Sequence, residues 1–191
     1  MTRLESAHCR QSAGVTLIEM LVVLVMAGAL LALVAPSVRE LLAAQRVQSI
    51  NAELVTNLQF ARAEAVRRNA QVLVSFRSTA TMSCYVMYVR AQVMNCDCRR
   101  TPGSACLPLG TVEEIKTVQI PRTLSVVLAA SSAQGSLLNF DNLEGRPLGG
   151  DFTIDVTGDP RGALRTTVNI AGRPAVCSPD GSIRQVPVCE Q

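Results

Sequence analysis

A single carboxylate, that of Glu19, lies inside the longest apolar run of the sequence, which extends from Val15 to Ala35. The run has 21 residues, enough to cross a hydrocarbon core of about 30 Å as a helix. A carboxylate inside such a span costs roughly 2.5–3.5 kcal/mol on insertion scales, so it requires a partner. A cut after Gly14 would create an α-amine on Val15, one helical turn from Glu19. This amine can neutralise the carboxylate within one subunit or between neighbouring subunits.

The remaining residues do not assemble the common catalytic sites. The only histidine, His8, precedes the apolar run, which excludes Ser-His-Asp and Cys-His machinery and most zinc hydrolase sites after it. Lys116, the only lysine, has no motif around it, and the oxygen-rich segment 141–145 lacks the spacing of a calcium loop. We therefore predict a protein that is not an enzyme and that has no metal site and no cofactor.

An even number of cysteines follows the apolar run, which predicts disulfides in an oxidising compartment. They are Cys84, Cys96, Cys98, Cys106, Cys177 and Cys189. Sequence does not choose among the pairings, but Cys177 with Cys189 is favoured because it closes a short loop near the C-terminus. The other four can form two more bridges, although Cys96 and Cys98 are too close to pair with each other without strain. A metal site built from Cys96, Cys98 and Cys106 is the alternative.

Two kinds of hydrophobic pattern divide the chain. Residues 37–69 repeat apolar side chains mostly every three or four positions, as an amphipathic helix does. This helix continues the apolar run, with a kink expected at Pro36, which has no N–H to donate. We therefore predict a leader at 1–14, a membrane or filament-core helix at 15–36, its amphipathic continuation at 37–69 and a β-rich domain at 70–191.

The pattern after Asn69 has a period of two and is typical of strands. The predicted strands are 71–76, 84–89, 112–120, 124–128, 137–140, 152–156, 165–170 and 183–186. A loop rich in Cys, Pro and Gly lies between the second and third strands, at 94–109. The expected fold class is α+β, a long N-terminal helix packed on an antiparallel β-rich domain that forms a two-sheet sandwich.

The start of the apolar run resembles the prepilin peptidase site of type IV pilins and type II secretion pseudopilins. Residues 14–19 read G-V-T-L-I-E and are followed by the apolar stretch and by Pro36, where the family also tends to have proline. The usual first mature residue is Phe, and Val15 departs from it. The resemblance implies cleavage after Gly14, N-methylation of Val15 and a role of Glu19 in assembly. A Sec signal peptide and a plain membrane anchor are the alternatives, and a carboxylate inside the apolar core argues against both.

A second resemblance narrows the family. Residues 58–69, L-Q-F-A-R-A-E-A-V-R-R-N, look like the A-R-[SA]-E-A-[IV]-x-R stretch of the GspH/FimT branch. Phe140-Asp141 with Gly145 downstream, and Gly172-Arg173 shortly before Cys177, also fit it. The resemblance implies a minor pseudopilin of type II secretion or, alternatively, a type IV pilus minor pilin of FimT type that binds DNA for uptake. Its implied partners are other pilin subunits, a prepilin peptidase, secreted cargo and the bacterial inner membrane, with the domain in the periplasm.

DNA binding is the least supported part of this expectation. Some FimT-like pilins are thought to bind DNA through a C-terminal G-R-x-R element, of which Gly172-Arg173 keeps only the first arginine. Phosphate binding needs clustered guanidinium groups. Four arginines could gather near one end of the domain, and they are Arg161, Arg165, Arg173 and Arg184. Removal of Arg3, Arg10 and Glu5 with the leader would leave 16 basic and 14 acidic side chains. This balance is not typical of a nucleic-acid-binding protein.

Overall fold

The computed structural model describes residues 16–92, 95–107, 112–131 and 136–190, without the side chains of 33–36. The chain separates into two compact units, one ending at Arg39 and the other beginning at Glu40. The predicted leader, the cleavage site at Gly14 and Val15, and the side chain of Pro36 lie outside the described residues. Cleavage, methylation and the kink at Pro36 therefore remain predictions, as do the domain boundaries.

Helix α1 (Leu17–Arg68) is the first element. In the first unit, every side chain from Thr16 to Ala32 is exposed. No single helix among the described residues is long and apolar enough to pass as a membrane span. Leu17–Ala32 and Ser37–Arg68 meet the length and composition criteria only as a bent pair.

In the second unit, α1 carries one buried apolar stripe. The stripe follows the helical period, with at most 1% exposure at Val47, Leu54, Leu58, Ala61 and Ala65. The helix ends in a Schellman motif, in which the Ala70 N–H donates to the Ala65 carbonyl and the Asn69 N–H to the Val66 carbonyl. Asn69 has the left-handed φ of 50° that this cap requires, and asparagine is one of the few residues other than glycine that tolerate it.

The described residues after α1 contain ten strands. In chain order they are β1 (Val72–Ser78), β2 (Met82–Val89), β3 (Asn95–Cys96), β4 (Cys106–Leu107), β5 (Glu114–Pro121), β6 (Val126–Ser131), β7 (Leu137–Phe140), β8 (Phe152–Gly158), β9 (Ala163–Val168) and β10 (Pro174–Cys177). A single 3₁₀ turn, Arg122–Leu124, separates β5 from β6. The predicted loop at 94–109 thus contains a small hairpin, β3–β4.

The larger strands form two antiparallel sheets. Sheet 1 has the order β5-β2-β1-β7 and sheet 2 the order β10-β9-β8-β6. The inner faces of both sheets share one core with the buried stripe of α1. Its aromatic centre is Phe76, whose ring lies 5.6 Å from that of Tyr85 and 5.5 Å from that of Phe152, joining the two sheets. The predicted fold class, a helix on an antiparallel β-rich domain, is confirmed.

Two buried hydrogen bonds attach the helix to the sheets. Asn57 Nδ2 donates to Tyr85 Oη in sheet 1 at 2.6 Å, and Thr166 Oγ1 in sheet 2 donates to Asn51 Oδ1 at 2.8 Å. Burial, partly opposed by the Asn57 hydrogen bond, raises the pKa of Tyr85, so its phenol stays neutral. Because an unpaired buried polar group is costly, these bonds specify where the helix lies along each sheet.

The prediction of a strand at 183–186 is wrong. This segment is a turn, in which the Val186 N–H donates to the Ile183 carbonyl. Ile183 is 2% exposed and packs in the main core. Val186 packs against the same core, so the apolar pattern of this segment reflects anchoring of a turn rather than strand pairing. The edge strand of sheet 2 next to β9 is instead β10, which begins at Pro174. An edge strand tolerates proline because the outer side of its backbone faces no neighbouring strand and needs no N–H donor there.

Candidate functional site

The beginning of α1 places Glu19 in the first helical turn. The Glu19 N–H donates to Thr16 Oγ1 at 3.3 Å, and the Met20 N–H donates to the Thr16 carbonyl at 3.2 Å. Thr16 is therefore the N-cap, and Thr16 with Glu19 has the T-x-x-E spacing of a capping box. The carboxylate is on the exposed surface of the first turn, where the helix dipole favours negative charge. Its predicted partner, the Val15 amine, lies outside the described residues.

From Met20 to Ala32 every residue is exposed and apolar, and most of the side chains are large. They include Leu24 at 71%, Leu30 at 65% and Leu31 at 69% exposure. Such a continuous apolar surface is too large for a soluble monomer. It is suited to burial in lipid or against neighbouring helices.

The structure does not bring the four candidate DNA-binding arginines to one place. Arg161 lies before the start of β9 and pairs with Glu40 at 3.4 Å. Arg184 lies near the same end, since the Ala163 N–H donates to Ser182 Oγ at 3.1 Å. Arg173 is beyond the other end of β9, where Pro174 pairs with Val168, about 17 Å away at the usual rise of a strand.

Arg165 is the fourth of these arginines, and its charge is already compensated. It points from the middle of sheet 2 to Asp155, with Nε 2.7 Å from Oδ1 and Nη2 3.1 Å from Oδ2. This hydrogen-bonded pair raises the pKa of Arg165. The expectation of a four-arginine cluster therefore does not match the geometry, because β9 separates its members.

The family-like motifs converge instead on Arg62 in α1. Arg62 Nε donates to the Gly145 carbonyl at 3.2 Å, and Nη2 donates to the Glu144 carbonyl at 3.4 Å. A Cβ at Gly145 would lie 2.6 Å from Arg62 Cγ, and one at Gly172 would collide with the Gly145 carbonyl. Both glycines also have positive φ, of 64° and 73°. Three motifs that are far apart in sequence thus meet at one contact, which we call the Arg62 junction.

Next to this junction, Glu64 holds the last turn of the helix together. Its carboxylate pairs with Arg67 at 2.7 Å and also with Arg68, which in turn pairs with Glu113 before β5. The hydrogen bonds from Arg67 and Arg68 lower the pKa of Glu64 to about 2. The carboxylate is therefore ionised throughout the physiological range, and its arrangement is that of a structural ion network.

All six cysteines of the domain are in disulfides, so none remains as a thiolate ligand. The structure pairs Cys177 with Cys189, as favoured from sequence, and the other bridges are Cys84–Cys98 and Cys96–Cys106. Among the described ranges, no group of three or more His, Cys, Asp or Glu is placed to hold a metal ion. The alternative of a metal site at Cys96, Cys98 and Cys106 therefore does not fit this structure.

The bridge Cys84–Cys98 fastens this hairpin segment to β2 on the outer face of sheet 1, and Cys96–Cys106 joins β3 to β4. Beneath the hairpin, Leu73 and Val86 are at most 2% exposed. Within it, Asp97 is held by Arg99, whose hydrogen bonds lower the Asp97 pKa to about 2. The hairpin therefore serves to cover an apolar sheet face.

Two families of known proteins match parts of the chain. The family described as "Type II transport protein GspH" matches residues 51–172, and the "Prokaryotic N-terminal methylation motif" matches residues 9–35. No curated protein matches the chain.

Two crystal structures of the type IV minor pilin FimU from Pseudomonas aeruginosa (strain PAO1) are similar to the chain. One is 17% identical and covers 69% of this chain and 88% of that chain, with a TM-score of 0.49. The other is 19% identical and covers 68% and 90%, with a TM-score of 0.46. Because the first family match alone extends over more than half of the sequence, the chain belongs to the GspH family.

Proposed function

We propose that the chain is a minor pseudopilin of the type II protein secretion system. Family membership and the methylation motif make it a pilin-like, membrane-anchored subunit that assembles with other pilin subunits. The family and the fold are those of structural subunits rather than of enzymes. The match of residues 51–172 to a family described as a type II transport protein supports the proposed role in secretion.

In this proposal, maturation prepares the helix for assembly. A prepilin peptidase cuts after Gly14 and methylates the new amine of Val15. Thr16 then caps the helix, and Glu19 is one turn away from the amine, so that the two charges neutralise each other in an apolar environment. When the pair forms between neighbouring subunits, it sets their stagger in the filament. The domain from Glu40 onward faces the periplasm, where it contacts other minor subunits and secreted cargo.

Mass spectrometry of the chain from a host with an active prepilin peptidase tests this maturation. The expected product lacks residues 1–14 and carries one additional methyl group on Val15. Recovery of the intact chain with Met1, in the presence of the active peptidase, would overturn the proposal. The same host with an inactive peptidase is the control, and it should accumulate the full-length form.

A minor pilin that binds DNA for uptake is the second candidate. It is favoured by one observation, the exposed Arg173 that follows Gly172 beyond the end of β9. The separation of Arg161 and Arg184 from Arg173, and the pairing of Arg165 with Asp155, argue against a phosphate-binding track.

Gene deletion in the native host separates the two candidates. Loss of extracellular protein secretion with unchanged DNA uptake supports the pseudopilin, and the reverse supports the DNA-binding pilin. A mobility-shift assay of the purified chain at ~50 and ~200 mM salt adds a direct measurement, because phosphate-driven affinity falls steeply over this range. The absence of a shift at the lower salt concentration would exclude the second candidate.

A further inference from the structure

The two most exposed large apolar side chains of the second unit are Leu143 and Ile170, at 76% and 69% exposure. They lie in different loops, one between β7 and β8 and the other between β9 and β10. Single exposed leucines are common on protein surfaces. These two differ because their loops are rigid and touch each other.

The loop of Leu143 is held by its own polar groups. Asp141 Oδ1 accepts hydrogen bonds from the N–H of Glu144 at 2.9 Å and of Arg146 at 3.2 Å. Asn142 Nδ2 donates to Asn69 Oδ1 at the helix cap, at 2.9 Å. The outward position of Leu143 is therefore a property of an ordered turn.

The loop of Ile170 has an equivalent construction. Asn169 Oδ1 accepts hydrogen bonds from the N–H of Ala171 and of Arg173, each at 3.0 Å. The Gly172 N–H donates to the Asn169 carbonyl at 2.7 Å. Both loops thus present an aliphatic side chain from an ordered backbone, which lowers the entropic cost of binding a partner.

The Arg62 junction joins the two loops to the helix. Gly145 and Gly172 are in direct contact there, and both lie against Arg62. Beside the junction, α1 and the first loop border a groove of about 180 Å³, lined by Gln59, Arg62, Ala63, Val66 and Glu144. Val66 is 45% exposed and extends the apolar surface along the helix. Leu143, Ile170, Val66 and this groove are called the junction surface below.

The charges around the junction surface indicate what kind of partner it fits. Its carboxylates are engaged, since Glu64 pairs with Arg67, Glu144 with Arg146, and Asp141 with backbone N–H groups. In contrast, the side chain of Arg173 is exposed and has no hydrogen bond or ion pair among the described residues. An aliphatic surface beside one uncompensated guanidinium fits an aliphatic segment that carries a carboxylate.

We infer that the junction surface binds an aliphatic, carboxylate-bearing segment of a neighbouring pilin subunit. Leu143 and Ile170 contact its apolar side chains, the groove accepts one of them, and Arg173 pairs with the carboxylate. The inference rests on the proposed function, because it requires that the chain assembles with other subunits. A single available arginine in the loop of Ile170 favours protein over nucleic acid, which needs several converging cations.

Site-specific photocrosslinking of the full chain in its native host tests the inference. A photoreactive amino acid replaces Leu143 or Ile170 in two variants, and Val188 in a matched control, since Val188 is also apolar and is 62% exposed. We expect products with another pilin subunit from the first two positions and none from the third.

Substitutions then measure the contribution of each group. L143S combined with I170S should reduce the yield of the subunit complex about tenfold or more, as loss of interface anchors does. R173A should reduce it by a smaller factor that shrinks further at high salt, and V188S should leave it unchanged. Because all these side chains are exposed, the thermal unfolding midpoint should be the same in every variant.

The outcomes separate failure of this inference from failure of the proposed function. If the wild-type chain co-purifies with pilin subunits and the variants do so equally well, only the junction surface is wrong. Products with DNA or lipid alone, or equal products from Val188, also overturn it. If the wild-type chain never associates with a pilin subunit, the proposed function itself fails.

Discussion

The two parts of α1, before and after the unit boundary at Arg39, have similar apolar side chains, but only the second part buries them within the chain. In the first part, Leu24 is 71% exposed, whereas Leu54 in the second part is completely buried. The second part packs on the inner faces of both sheets of its own chain. The first part has no such surface in the described structure, and we expect lipid or other subunits to cover it. One helix thus packs as the centre of a folded domain in one part and leaves an apolar surface open in the other.

The carboxylates of the two parts also differ in whether their partners belong to the same folded domain. Glu64 pairs with Arg67 and Arg68 from its own helix, and the pKa of Glu64 is lowered to about 2. Glu19 is in the first turn of the exposed part, and its predicted partner is created only by processing. A charge that is satisfied within the chain stabilises the fold, whereas we predict that Glu19, whose partner can belong to another subunit, directs assembly.

The largest effect is expected from Glu19→Ala. Membrane insertion should be retained, because removal of a carboxylate makes the span more apolar. Assembly should be lost, because the charge that meets the Val15 amine is missing. Membrane fractionation and quantification of subunit complexes measure the two properties separately. Normal assembly of this variant would contradict the role given to Glu19. The difference between Glu19 and Glu64 would then have no functional consequence.

Leucine truncation in each part of the helix tests whether only the second part contributes to the stability of the domain. Leu54→Ala should lower the free energy of unfolding of the domain by about 2–5 kcal/mol, because it leaves a cavity in the shared core. Leu24→Ala is the matched control and should leave the unfolding of the domain unchanged. Urea titrations followed by circular dichroism of both variants give the values. Equal effects would show that the two parts are not independent.

The Arg62 junction offers a smaller test of how the second part is held. Gly172→Ala places a Cβ against the Gly145 carbonyl at a φ of 73°. Gly103→Ala is the control, since Gly103 has a φ of 84° but open space around it. We expect Gly172→Ala to lose about 1–3 kcal/mol more than Gly103→Ala in the free energy of unfolding, because only the former adds a collision to the strain. Equal losses would mean that the contact at the junction is unimportant.

The smallest expected effect concerns the acid dependence of stability. The pKa of Glu64 is lowered from 4.5 to about 2, so its pairing stabilises the fold above pH 4.5. This stabilisation is lost as the pH falls towards 2. Glu64→Gln should therefore be less stable than wild type at neutral pH and should lose less stability during acidification. The effect is small because Arg67 is 64% exposed and exposed pairs are screened by water. If the stability of wild type and variant changed with pH in the same way, this contribution of Glu64 would be excluded.

The sequence was most informative where a pattern is local. The helix end near Arg68 and the strands β1 and β2 depend on neighbouring residues, and they agree with the structure. The even number of cysteines correctly predicted disulfides. The segment 183–186 misled because Ile183 and Val186, which pack on the core from a turn, produce the same short apolar pattern as a strand. Pairing partners of cysteines are set by chain folding, so the choice of Cys98 for Cys84 could not be made from spacing.

For the candidate recognition residues, too, spacing in the sequence does not give their proximity in the structure. Arg161 and Arg173 are close in sequence but lie at opposite ends of β9, because an extended strand separates residues by about 3.4 Å per position. Leu143 and Ile170 are distant in sequence but lie on touching loops. Exposure of a leucine beside polar neighbours has no sequence signature, so this pair could not have been predicted.

In the sequence, the motifs at 14–19 and 58–69 indicated the family, whereas composition and periodicity predicted an apolar run with an internal carboxylate, a helix and a β-rich domain. Composition and periodicity suffice for the latter because short-range sterics and hydrophobicity translate them directly into structure. The folded chain was needed to show which arginines stand alone, how Cys84, Cys96, Cys98 and Cys106 pair and which loops touch. These features depend on strand order and register, through which residues far apart in sequence come within contact distance.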